Sequence, residues 1–389
     1  MNHEDASAMP APVYLDHNAT TPVAPEVAEA MAVALRESFG NPSSAYTLGQ
    51  AAAKQVATAR HAVASLIGAR AENLVFTGCA TESNNLALLG VAGACDPGKR
   101  HLVISAVEHP AVMTPARYLE AQGWSLSIVP VDEAGRVSVE GVVDAVRPDT
   151  ALVSIMLANN EVGTLQPIAD IARHLASRDV LLHTDAAQAV GKISVDVDAL
   201  GIDLLTVAGH KFQASKGIGA LYVRQGTPIR QILFGAGHER GLRPGTENVP
   251  AIIGLGVAAE LATMRLAQGD NTLRGRREQL HGLLSAAVPG LCLNGHPECR
   301  LPNTLNVSFP SVSGQALLDS ARDTVMASVG SACHAGESSP SGVLGAMGLD
   351  TVRALGAVRL SVGWNTKEEE VATAAAALVH AWRHLADGS

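Results

Sequence analysis

The 389 residues exceed the length at which one hydrophobic core usually stops growing, so a large domain and a smaller one are expected. Apolar residues make up 47% and charged residues 17%, which excludes a disordered chain. A net charge of −9 with no run of Lys or Arg argues against nucleic acid or anionic lipid as partner and leaves small molecules and proteins.

In chain order, the opening MNHEDASAMPAP carries acidic residues and lacks an apolar segment, so it reads as a loose tail and not as a signal peptide or membrane anchor. Apolar stretches such as 151–158 are shorter than the ~20 residues a bilayer requires, and a soluble cytoplasmic protein is expected. A helix is predicted from about Pro25 to the stop at Gly40-Asn41-Pro42, and another over 50–67. Strands are predicted at 74–76, 101–106, 126–131, 151–157, 180–185, 204–208 and 219–223, with helices around 82–92 and 167–177. Several strands are continuous Val/Ile/Leu runs, as when both faces are buried, and their alternation with helices predicts an α/β fold with a mostly parallel sheet. After about residue 250 come two long helical patterns, 251–267 and 272–287, then strands around 304–309 and 357–362. The last helix is expected to open with a capping box, Thr366 with Glu369, and to run out at Gly388. The expected division is a large domain at 17–255 and a smaller one at 256–389 that also takes in 1–16.

Four features carry chemistry. Asp185 closes the strand VLLHTD, where open α/β sheets bind ligands, and its carboxylate suits the protonated ring nitrogen of pyridoxal 5'-phosphate (PLP). A plain helix-capping Asp is the alternative. Lys211, in AGHKF, directly follows a buried strand, and its amine is the group that condenses with an aldehyde cofactor; a surface lysine is the alternative. Lys216, in a glycine-flanked loop, is the weaker candidate. Residues 77–83, TGCATES, link a strand to a helix with small residues and the Thr81 hydroxyl, which suits a phosphate at a helix N-terminus or an ordinary turn. Cys333 lies in SVGSACHAGESSPSG, a Gly- and Ser-rich segment where a thiol can ionise, against the alternative of a structural thiol. His109, in VEHPAV, also follows a strand, and alone it reads more often as a satisfied structural histidine.

Cys79, Cys95, Cys292 and Cys299 complete the five cysteines; no CxxC pairing points to disulfides or structural zinc, and the last three read as structural thiols. The 14 histidines show no metal-ligand spacing, so no metal is expected. GAGHERG at 235–241 is spaced GxGxxxG and is followed by prolines, unlike a dinucleotide fingerprint.

The whole pattern resembles the cysteine desulfurases of the NifS/IscS kind, in the aminotransferase class V group of fold-type I PLP enzymes. The likeness runs through YLDHNATTP at 14–22, TGCATESNNLAL at 77–88, VEHPAV at 107–112, NNEVGTLQPI at 159–168, HTDAAQAVGK at 183–192, GHERGLRPGTEN at 237–248, SVGSACHAG at 328–336 and VRLSVG at 358–363. It implies a mostly parallel seven-stranded sheet in a large domain, plus a smaller α+β C-terminal domain carrying the cysteine. It also implies that Lys211 holds PLP covalently, Asp185 faces the ring nitrogen, Gln188 bonds the ring hydroxyl, and His109 stacks on the ring and moves protons. Ala80, Thr81 and His210 would hold the phosphate, with Thr246 reaching it from the other subunit of a homodimer. Arg359 and Asn160 would clamp the substrate carboxylate, and Cys333, with His334 as a cationic neighbour, would take sulfur from L-cysteine and pass it to an acceptor protein. Ala208 stands where many relatives have a phosphate-binding Ser, and Cys79 where Gly is usual. MLANNE, HTDAAQA and MASVGSACH resemble selenocysteine lyases as well, which makes L-selenocysteine the alternative substrate.

Overall fold

The computed structural model describes residues 11–330 and 341–387. Its strands are β1 (Val13–Tyr14), β2 (Leu74–Thr77), β3 (His101–Ser105), β4 (Ser125–Val129), β5 (Thr150–Ser154), β6 (Leu181–Asp185), β7 (Leu204–Ala208), β8 (Gly219–Val223), β9 (Cys292–Asn294), β10 (Thr304–Ser308), β11 (Val325–Met326) and β12 (Ala357–Ser361). The helices are α1 (Pro25–Glu37), α2 (Thr47–Leu66), α3 (Ala80–Ala92), α4 (Pro110–Ala121), α5 (Val139–Ala145), α6 (Ile168–Leu175), α7 (Val197–Leu200), α8 (Val249–Ala267), α9 (Thr272–Ala287), α10 (Gly314–Ala321), α11 (Gly342–Ala346), α12 (Thr351–Leu355) and α13 (Glu368–Asp387).

The seven predicted apolar runs form one sheet in the order β2-β8-β7-β6-β5-β3-β4. The five strands from β7 to β4 are mutually parallel, and β8 runs antiparallel to both β7 and β2. Every residue of β2, β3, β5, β7 and β8 is buried, as a sheet covered on both faces requires. β4 stops at Val129 and not at 131 because Pro130 has no N–H to give the ladder. From β3 the chain moves outward to β4, then returns to place β5 on the other side of β3. Such a reversal opens a crevice at the carboxyl ends of the strands, where ligands bind.

A second sheet, β12-β10-β9, is antiparallel and has its own apolar core with α9 and α13. Val13 and Leu15 belong to that core, and β1 pairs with β11. The chain then crosses to the first core, where Thr21 N–H donates to His210 O and Ala24 N–H to Gln213 O. Residues 13–24 therefore strap the two sheets together over the crevice.

Two expectations are corrected. α8 has the length and apolar character of a membrane span, although no stretch of the sequence is expected to reach it; its buried residues pack in the first core, with Gly254 against Met31 and Gly256 against Ala59. The expected capping box of Thr366 with Glu369 does not open α13: Glu370 accepts from Lys367 N–H, and the Thr366 hydroxyl accepts from Gly363 N–H. Glu368, Glu369 and Glu370 are consecutive, so spacing alone does not select the capping residue.

Candidate active site

The crevice holds a cavity of about 230 Å³ whose lining includes Asp185, Lys211, His109, Gln188, Asn160 and Arg359. Strand ends bring these side chains together. Asp185, the last residue of β6, is buried; its Oδ1 accepts from Ala187 N–H at 2.9 Å and its Oδ2 from Asn84 Nδ2 at 2.7 Å. No helix follows for it to cap; it makes a local turn bond and presents a fixed carboxylate to the cavity. Asn84 Oδ1 is buried without a hydrogen-bond partner among the described residues.

Lys211 ends the short turn Gly209–Lys211 that follows β7. A Cβ on Gly209 would meet Ile218 O at 2.9 Å, so only glycine lets the turn pack this closely. The Lys211 Nζ donates to Asn18 O at 2.6 Å and Ala19 O at 2.8 Å, both carbonyls of the strap. Lys216 is exposed and does not line the cavity.

His109 caps α4, its Nδ1 accepting from Ala111 N–H at 3.1 Å. An acceptor Nδ1 places the proton of the neutral ring on Nε2. Burial lowers the imidazole pKa, with the Lys211 charge assisting and Asp185 opposing. His210, whose Nδ1 lies 3.2 Å from Thr20 Oγ1, is lowered to about 4 by burial and then by the charges of Lys211, Lys216 and Lys192. Cys79, Ala80 and Thr81 line the cavity at the N-terminus of α3, and Ala208 lines it without a hydroxyl.

Arg359, 2% exposed on β12, brings a guanidinium from the second sheet. NH2 donates to Asp16 Oδ1 at 2.7 Å and NH1 donates to Asn160 O at 3.1 Å, while Nε is buried without a partner among the described residues. Gln188 Nε2 donates to Asn18 O at 3.0 Å, and Gln188 Oε1 accepts from Lys192 Nζ at 2.8 Å.

Thr246 is exposed and outside the lining of this chain's cavity. Cys333 and His334 lie outside the described residues. On either side of them, Gly330 and Ser341 both approach Glu161, next to Asn160, and the Ser341 hydroxyl donates to Glu161 Oε2. Cys292 is exposed on β9, unlike a buried structural thiol, and Cys95 and Cys299 are half-buried. Sequence reading missed Asp16, Asn18, Asn84 and Lys192. Asp16 and Asn18 do stand inside YLDHNATTP, but nothing local says what they face.

This fold and cluster define a class of enzyme: the aminotransferase class V family matches residues 13–373, and the chain belongs to that family. Within it, the chain is 44% identical to a protein named cysteine desulfurase IscS from Methanosarcina thermophila, over 94% of this chain and 91% of that one. A solved structure titled NIFS-LIKE PROTEIN superposes with a TM-score of 0.88 at 39% identity, covering 95% of this chain and 98% of that one. Another, titled SspA in complex with cysteine, gives a TM-score of 0.79 at 36% identity, covering 90% and 98%.

Proposed function

We infer that the chain is a PLP-dependent cysteine desulfurase, converting L-cysteine to L-alanine and transferring the sulfur. The observation that carries the reading is the convergence of a lysine amine, a buried carboxylate and a guanidinium on one cavity, in a chain whose relatives are cysteine desulfurases. Those relatives favour cysteine over the selenocysteine alternative.

The residues fit the cofactor. Asp185 offers a carboxylate for a protonated ring nitrogen, Lys211 an amine for an aldehyde, and the N-terminus of α3 a set of N–H donors for a phosphate. When bound, PLP supplies an aldehyde that condenses with amines and a ring that accepts electron density. Asp185, fixed by Asn84 and Ala187, keeps the ring nitrogen protonated. Thr81, the Ala80 N–H and neutral His210 hold the phosphate, and Thr246 completes the partner's site in a homodimer. Ala208 contributes no bond there, a loss of about 1 kcal/mol against a serine.

Arg359 and Asn160 orient the substrate carboxylate. The Lys211 amine would take the proton from the substrate Cα and return it there after the Cβ–S bond has broken. His109 donates at Nε2, because Nδ1 is engaged by Ala111. The Cys333 thiolate then attacks the substrate sulfur: an S–S bond forms, the Cβ–S bond breaks, and its electron pair stays on Cβ, which takes up a proton to give alanine. The persulfide left on Cys333 passes to an acceptor protein.

Incubation with labelled cysteine, followed by mass spectrometry, should find one added sulfur on the Cys333 peptide. Borohydride should trap PLP on Lys211. Full alanine release by Cys333→Ala would refute the persulfide step; a protein left colourless by PLP would refute the cofactor reading.

A further inference from the structure

We propose that Lys192 is a positioning residue that fixes the side-chain amide of Gln188, so that Gln188 turns an N–H, and not its oxygen, toward the cofactor ring. The proposal rests on the reading of the cavity as a PLP site. Lys192 is 6% exposed, four residues beyond Gln188 in the turn after β6. Its Nζ donates to Gln188 Oε1 at 2.8 Å and to Asn18 Oδ1 at 3.2 Å; neither partner is a carboxylate.

The Asn18 amide is oriented independently. Its Nδ2 donates to Thr304 Oγ1 at 2.8 Å and Asn160 O at 3.2 Å, and its Oδ1 accepts from Asn303 Nδ2 at 3.0 Å. Asn18 thus turns an oxygen to Lys192, which supplies one N–H to that oxygen and one to Gln188. Charged or neutral, a lysine amine has the two hydrogens needed. Burial, and the charges of Lys211 and Arg359 nearby, press Lys192 well below the usual lysine range, and His17 is the other titratable neighbour.

Gln188 Nε2 gives one hydrogen to Asn18 O at 3.0 Å. Flipping the amide would set Oε1 against that carbonyl, losing this bond in either charge state of Lys192, and would set NH2 against the hydrogens of a charged Lys192. The second Nε2 hydrogen therefore remains for the cavity that Gln188 lines. A donor there stabilises an anionic ring oxygen; an acceptor would repel it.

The test is a double-mutant cycle on cofactor-loaded protein without substrate, reading the pH midpoint of the visible absorption band. Lys192→Met should move the midpoint up by about one pH unit, the roughly tenfold effect of losing one hydrogen bond to a charged acceptor. Gln188→Ala should do the same, and the double variant should move no further. Full additivity would overturn the proposal, because Lys192 would then act through its charge alone. So would an unmoved midpoint in Lys192→Met beside a lowered Tm. If that variant does not fold, Lys192→Gln keeps a donor without the charge: a wild-type midpoint supports the proposal and a displaced one overturns it. A wild-type protein that develops no visible band overturns the cofactor reading, and this proposal with it.

Discussion

Replacing Arg359 by lysine probes whether the guanidinium holds the substrate carboxylate. In the structure the guanidinium bonds Asp16 and the Asn160 carbonyl and also lines the cavity. A lysine ammonium reaches Asp16 or the substrate but lacks the planar fork that reaches both. The loss is at least one charge-assisted hydrogen bond, about 2 kcal/mol, so kcat/KM for cysteine should fall about 30-fold, mostly through KM. Arg359→Met removes both interactions and strands Asp16. With its side chain 18% exposed, Asp16 should then cost about 2 kcal/mol in unfolding free energy, less than the 3–5 kcal/mol typical of a fully buried charge. Alanine formation against cysteine concentration, with the visible band as a control for cofactor loading and urea unfolding for stability, measures both effects. If the Lys and Met variants keep the wild-type KM, the carboxylate does not bind at Arg359.

Three further outcomes are expected. Burial lifts the Glu108 carboxyl from 4.5 to about 8, with Oε2 lacking a partner among the described residues, so the folded chain holds a proton there that the unfolded chain loses above pH 4.5. The unfolded state then binds fewer protons, and stability falls as pH rises from 4.5 to 8; Glu108→Gln should flatten that fall in urea titrations run across the window. Arg60→Ala leaves Glu239, whose side chain is 2% exposed, without its guanidinium partner and should cost about 3–5 kcal/mol by the same measurement. Gly256→Ala places a Cβ 2.7 Å from Ala59 Cα and Cβ, where α8 crosses α2, and should lower stability by about 1–3 kcal/mol.

The strands were legible because burial on both faces of a parallel sheet writes itself as continuous Val/Ile/Leu runs, and β7 and β8 fall at the predicted residues. Asp185 and Lys211 were legible for a related reason: each polar group directly ends or follows such a run, which fixes it at the sheet's carboxyl edge. What the local pattern does not encode is who faces whom. Asn84 meets Asp185 across 101 positions of sequence, and Asp16 meets Arg359 across 343. Strand order and the path of the strap decide both contacts, as they decide that Asn18 touches Lys211, Gln188 and Lys192 together. Periodicity records which side of an element avoids water; the partner on that side is set only when the two sheets close over the crevice.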